Sequence, residues 1–298
     1  MLIDTFSTIR RSIIAFAIAS KRADAPLFPE IIGTGFVIDT QGIVATNRHV
    51  VLELEKLGDP ATADSIALAL TFSEVQREEG AHVLTVLPIL LKRWDKLTTF
   101  TSSDDFYGEQ IPDIAFAQIG VSGLPAASLV TEPGSWPVGT PIATAGFPLG
   151  TQALAIYERV NQVAPILRSG VIASVFPFPS PRPHGFTIDI MTLGGESGSP
   201  IFLADSPQVL GVMTPQVVGL LHAGFNGTNI TLAVPSWLVA QAFENYRRSV
   251  PLDFNGVPPF EEAATSLRET LGRGRLPNKS LDRSADSLLR NLIVENEG

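Results

Sequence analysis

The sequence predicts an all-β fold to about residue 235, with helix only beyond it. Three observations point there. Short apolar runs rich in Val, Ile, Thr and Phe are cut off by glycine and proline, of which the chain holds 25 and 23. Hydrophobic residues make up 45% and charged residues 17%, so 298 residues carry enough apolar material for one large or two small cores. Helical spacing first appears at Ser236–Arg248, where Leu238, Ala242, Phe243 and Tyr246 recur on one face and Ser236 is placed to cap.

In chain order the candidate strands of a first set are Ser12–Ala19, Ile32–Ile38, Ile43–Thr46, Ser65–Phe72, Ala81–Leu91 and Asp113–Ile119. Before the last of these, Asp95–Gln110 is polar and rich in Ser, Thr and Asp, and reads as a loop. Gly123–Gly139 holds Pro125, Pro133 and Pro137 and reads as a linker. A second set runs Pro141–Gly146, Gln162–Val175, Gly185–Met191, Pro200–Phe202, Val209–Met213, Val217–Leu221 and Asn229–Val234. Within it, Phe176–His184 holds four prolines and reads as an extended surface loop. Pro207–Thr214 is echoed at once by Pro215–His222, which leaves two registers open for one strand. After the helix the chain becomes charged, with a further helical pattern near Asp282–Val294.

Charge and composition exclude several classes. A net charge of −9 without any long basic run argues against a nucleic-acid surface. With no cysteine there is no thiol nucleophile, thiolate metal site or disulfide framework. No histidine pair has zinc-ligand spacing, so neither metal nor cofactor is expected. Arg10-Arg11 and the apolar Ser12–Ser20 imitate a signal peptide, but the run is too short to span a membrane and the strand reading is preferred. The expectation is a cytoplasmic protein that binds no membrane, with export as the alternative if residues 1–20 act as a signal.

The chemistry concentrates in Gly194-Gly195-Glu196-Ser197-Gly198-Ser199-Pro200. Glycines on both sides let backbone N–H groups turn toward a ligand, and an alcohol nucleophile needs such donors where a carbonyl oxygen becomes negative. Ser197 is preferred to Ser199, which abuts Pro200 in the trailing turn. Upstream, His49 follows an apolar run in Thr46-Asn47-Arg48-His49-Val50-Val51, and a neutral imidazole can take the serine proton at physiological pH. Asp113 opens another apolar run and would orient that ring, whereas Asp104 and Asp105 lack a following strand. The order His, Asp, Ser is that of a serine-protease triad on double β-barrels, and it does not fit an α/β-hydrolase elbow, whose fifth position is here Ser199.

At these residues the chain resembles the chymotrypsin-fold peptidases, and more closely their bacterial trypsin-like, HtrA-like branch. Matching segments are Gly33–Ile38, Ala45–Val51, Asp113–Ala115, Ala145–Gly150, Ser169–Ser174 and Gly195–Pro200, collinear over roughly residues 10 to 240. The resemblance implies two antiparallel six-stranded β-barrels, at about 10–122 and 138–235, a closing C-terminal helix at 236–248, and a protease domain spanning 1–248. Residues 249–298 are too few for the PDZ module of HtrA proteins and are read as a packing arm, an oligomer contact or a disordered extension.

It also implies oxyanion donors at Gly195 and Ser197, and a specificity pocket from Met191, Thr192, Leu221, His222 and Gly224, with Met213 replacing Leu221 and His222 in the other register. Glu196 stands where the family more often has Asp or Asn, and no Ile-Val-Gly-Gly start exists to activate it from a freed N-terminus. The implied activity is a serine endopeptidase acting on protein or peptide substrates, cleaving after small or apolar residues. The alternatives are a glutamate-specific endopeptidase and a catalytically silent protease-like binding module.

Overall fold

The computed structural model describes residues 2–21, 29–58, 63–76, 82–98, 111–131, 136–150, 164–177, 183–204, 208–214 and 228–273. A short amphipathic helix, α1 (Leu2–Ile9), precedes the first strand and turns its Leu2, Phe6 and Ile9 to the core. Then come β1 (Ile13–Ser20), β2 (Glu30–Asp39), β3 (Ile43–Thr46), α2 (Arg48–Glu55), β4 (Ser65–Gln76), β5 (His82–Lys96) and β6 (Ala115–Ile119). The six strands close in the order β1-β2-β3-β6-β5-β4, every pair antiparallel.

Strand periodicity divides the first barrel's apolar residues between two cores. One set fills the barrel: Ile14 and Phe16 of β1, Val37, Val44, Ala69, Leu87, Ala117 and Ile119, closed off by Val50 and Leu54 of α2. The alternate set, Ile13, Ala15 and Ala17 of β1 with Phe36, Ala45 and Phe116, faces outward against Ala143, Phe147 and Phe202 of the second half. Strands buried on both faces carry apolar residues at successive positions, as β3 and β6 do throughout.

The second half comprises β7 (Ser128–Leu129), β8 (Pro141–Gly146), β9 (Ile166–Phe176), β10 (Gly185–Asp189), β11 (Pro200–Leu203), β12 (Gln208–Thr214) and β13 (Ile230–Pro235), then α3 (Ser236–Ser249) and α4 (Phe260–Arg273). The sheet order is β11-β8-β9-β10-β13-β12-β7, and β11 also pairs with β12. That extra pairing joins the two ends, so six strands form a second closed barrel with β7 lying parallel outside β12. Ile142, Ile172, Phe186, Ile188 and Ile201 fill it. The fold is the chymotrypsin-like double barrel that the sequence predicts.

Several element boundaries differ from the sequence reading. β5 runs on to Lys96, because a bulge at Leu91/Arg93 keeps the charged residues Arg93 and Asp95 paired with β6. Ser236 is the first helical residue of α3 rather than its cap: Pro235 holds the cap position, and the buried Ser236 hydroxyl donates to Val130 O at 2.8 Å. His49 lies in a helix, α2, which was not expected. The candidate strand Val217–Leu221 and the helical pattern at Asp282–Val294 lie outside the described residues.

α3 leaves the second barrel and packs on the first. Trp237 Nε1 donates to Pro183 O at 3.0 Å in the second half, while Phe243 and Tyr246 stack on Phe116 of β6 at centroid distances of 5.6 and 4.9 Å. The following segment stays on the first barrel: Gln118 Nε2 donates to Asp253 O, Ser122 N to Pro258 O, and Phe260 N to Ser122 O. Phe260 and Ala264 of α4 then enter its core, and burial of the Phe260 ring stabilises the contact by about 2 kcal/mol.

The buried Tyr246 hydroxyl donates to Asp95 Oδ2 at 2.8 Å, and Arg93 Nε holds the same oxygen at 2.5 Å. Burial, reinforced by the bond to Asp95, pushes the Tyr246 phenol well above its ordinary value. Folded Tyr246 therefore keeps its proton while the unfolded residue begins to lose its own near pH 10. The stabilisation is complete below that pH and fades above it, by about 1.4 kcal/mol per pH unit. Urea unfolding from pH 7 to 11 should show Tyr246→Phe less stable by about 1 kcal/mol at pH 7, with a shallower alkaline loss than wild type. Parallel alkaline slopes would refute the assignment.

Candidate active site

The seam between the barrels gathers the residues singled out in the sequence. β3 ends at Thr46, Asn47 takes the cap position with extended backbone, and α2 starts at Arg48, so His49 stands in the first helical turn. Helix starts leave N–H groups without partners. Here Asp113 supplies the acceptor: its Oδ1 takes the His49 main-chain N–H at 3.1 Å. Its Oδ2 takes the ring Nδ1 at 2.8 Å. Asn47 does not cap with its side chain, and Nδ2 donates instead to Asp113 O at 2.9 Å. Asp113 is thus held by its main chain and holds both the ring and the helix start.

A carboxylate only accepts, so the contact assigns the proton to Nδ1 and leaves Nε2 of His49 with its lone pair. The Asp113 side chain is 11% exposed and the His49 ring 35%, so the acid is sheltered while the ring reaches the surface. Among the described residues, neither Nε2 nor Ser197 Oγ has a hydrogen-bond partner. Such contacts commonly tighten only when substrate arrives.

The serine loop is stitched to the same seam. Thr34 of β2 donates its N–H to Ser197 O at 2.8 Å and its hydroxyl to Gly195 O at 2.7 Å, while Thr46 Oγ1 donates to Thr34 O at 2.7 Å. Thr46 stands three residues before His49, which brings the serine loop beside the histidine helix. Gly198 has φ +86, and a Cβ there would collide with Thr34 O and Thr46 Oγ1; the close approach requires glycine. Thr34 was visible in the sequence only as the middle of a Gly-Thr-Gly motif. Its threefold bonding was not.

Ser199 is excluded as nucleophile. It is 0% exposed, its Oγ is buried without a partner, and it presses on Gly146 so closely that a Cβ there would strike it. Ser197, at 8%, is the serine that reaches solvent. Leu193–Glu196 forms a turn closed by Glu196 N donating to Leu193 O at 3.2 Å, and Gly195 has φ +90, as the third position of a type II turn demands. Among the described residues the Gly195 and Ser197 N–H groups donate to nothing, while their neighbours Glu196 and Ser199 are bonded. Two adjacent free donors around a tight turn are what an oxyanion site requires.

On the pocket side, Met191 is 37% exposed, and Thr192 Oγ1 meets Thr231 Oγ1 of β13 at 3.0 Å. Of the two registers left open, the described strand is Gln208–Thr214, with Met213 opposite Ala233 of β13. Leu221, His222 and Gly224, like Asp104 and Asp105, lie outside the described residues. His184 is buried with its ring 6.2 Å from that of Trp237, a packing role away from the seam.

Two residues were missed. Thr231 read only as part of a strand. Arg168, whose Nη1 lies 2.9 Å from both carboxylate oxygens of Glu196, carried one legible signal: it is the sole charge in the run Ile166–Phe176.

Comparison with known proteins gives two matches of different kinds. The family model described as trypsin-like peptidase domain matches residues 33–212. Among solved structures, the crystal structure of the serine endoprotease from Yersinia pestis is similar over 84% of this chain and 67% of that one, at 15% identity and a TM-score of 0.49. Among curated proteins none matches.

Proposed function

We propose, for a chain that belongs to the trypsin-like peptidase domain family and is a serine endopeptidase, that His49, Asp113 and Ser197 are its triad and that it cleaves after small or medium apolar residues. The observation that carries the first part is the double grip of Asp113 on His49, which leaves Nε2 as an acceptor beside the serine loop.

In this reading Ser197 Oγ attacks the substrate carbonyl carbon as its proton passes to His49 Nε2. The carbonyl oxygen becomes an oxyanion and takes the N–H groups of Gly195 and Ser197. Collapse breaks the C–N bond, and His49 returns the proton to the departing amine. Water, deprotonated by the same ring, then releases the acyl group and restores Ser197. Asp113 stays ionised throughout and stabilises the imidazolium.

Support for apolar specificity comes from one hydroxyl. Thr231 Oγ1 donates its single proton to Ile190 O at 2.6 Å, so in the contact between the two threonines Thr192 must be the donor. The Thr192 proton is spent inside the pocket wall, and its oxygen faces the substrate as an acceptor. A glutamate side chain needs donors. Met213 on β12 adds an apolar residue to the facing strand.

A fluorophosphonate probe followed by mass spectrometry should place the adduct on Ser197, and a peptide library should show cleavage after residues such as Ala, Val or Leu. Absence of both adduct and cleavage would favour the silent binding module. Dominant cleavage after Glu would overturn the specificity argument while leaving the triad in place.

A further inference from the structure

Among the described residues, Glu196 is the only Asp, Glu, Lys or Arg whose side chain is fully buried, at 1% exposure, and it sits between the two proposed oxyanion donors. A buried carboxylate is costly unless a counter-charge and hydrogen bonds replace the water it has lost. Both are present. Arg168 Nη1 lies 2.9 Å from Oε1 and from Oε2, and the Leu193 N–H donates to Oε2 at 2.7 Å. Arg168 belongs to β9, where its backbone is paired opposite Thr144 of β8, so the guanidinium is carried by the barrel wall. The Leu193–Glu196 turn is therefore tied at its first residue and at its last to one carboxylate, and through it to a rigid strand.

We propose that Arg168 and Glu196 are a positioning pair that sets the Gly195 and Ser197 N–H groups for the oxyanion; this rests on the triad reading above. Without the guanidinium, an uncompensated carboxylate is driven toward water. The backbone it belongs to moves with it, and the two N–H groups leave the place where the negative oxygen forms. Arg168 touches neither substrate nor reacting atoms and acts only through Glu196.

The test is steady-state kinetics of the full chain on the best peptide from the library, with thermal melts of each variant. Arg168→Met should lower kcat by about 10²–10³-fold, the effect of losing an oxyanion donor. Its KM should stay within about threefold, since ground-state contacts lie elsewhere. Arg168→Lys keeps the charge and should stay within about tenfold of wild type. Adding Glu196→Gln to Arg168→Met removes the stranded charge and should raise kcat by about tenfold over Arg168→Met alone. A merely structural arginine would lower the melting temperature without responding to restored charge balance. If Arg168→Met does not fold, Arg168→Lys against the double variant decides in the same way. Wild-type kcat in Arg168→Met, or a double variant no better than the single, sinks this proposal alone. An inactive, unlabelled wild type sinks the triad reading and this proposal with it.

Discussion

Replacing Ser197 with alanine is expected to lower kcat by about 10⁶-fold, the loss seen when the nucleophile of a triad acting as a unit is removed. The structure allows a clean reading of that number. Ser197 Oγ has no hydrogen-bond partner among the described residues, and the loop is held by the main-chain oxygens of Gly195 and Ser197 together with the Glu196 carboxylate. None of these contacts uses the side chain being removed. Ser197→Ala should therefore melt like wild type, retain peptide binding and lose the fluorophosphonate adduct. Residual activity within tenfold of wild type would mean another nucleophile. Ser199 is not available for that role, since it is buried against Gly146.

Asp113→Asn is the second large effect, expected at about 10⁴-fold in kcat. The argument turns on which oxygen does what. Asp113 Oδ1 accepts the His49 main-chain N–H, and Oδ2 accepts the ring Nδ1 proton. An asparagine has one acceptor oxygen and one NH₂ donor. Its oxygen is claimed by the main-chain N–H at the start of α2, which turns the NH₂ toward the ring. Nδ1 must then accept, the ring proton moves to Nε2, and the base can no longer take a proton from Ser197. Because α2 keeps its acceptor, the fold should survive, and a melting curve near that of wild type separates tautomer loss from unfolding. If Asp113→Asn retains a tenth or more of wild-type kcat, Asp113 does not set the tautomer.

Much of the architecture was legible in the residues. Short apolar runs ended by glycine and proline located most of the strands, because strand length and turn chemistry are local properties. The order His49, Asp113, Ser197 and the glycines around the serine were legible for a similar reason: a sharp loop needs particular backbone freedom at particular positions. Ser197 over Ser199 was also right on local grounds, since the residue beside Pro200 begins β11 and turns into the barrel.

What local pattern did not hold, packing decided. Nothing near His49 announced a helix, and α2 starts where it does because a carboxylate more than sixty residues away accepts its first-turn N–H. Arg93 and Asp95 looked like loop, yet strand pairing with β6 and the Tyr246 hydroxyl keep them in β5. The segment after α3 was open between arm, contact and disorder; its bonds to Gln118 and Ser122 and the burial of Phe260 make residues 253–264 a packing arm on the first barrel. The direction of the Thr192 proton depends on Thr231, and the burial of Glu196 depends on Arg168, each on a strand distant in sequence. Hydrogen bonds and ion pairs between strands depend on register and on which face each residue takes, and closure of the two barrels settles both at once.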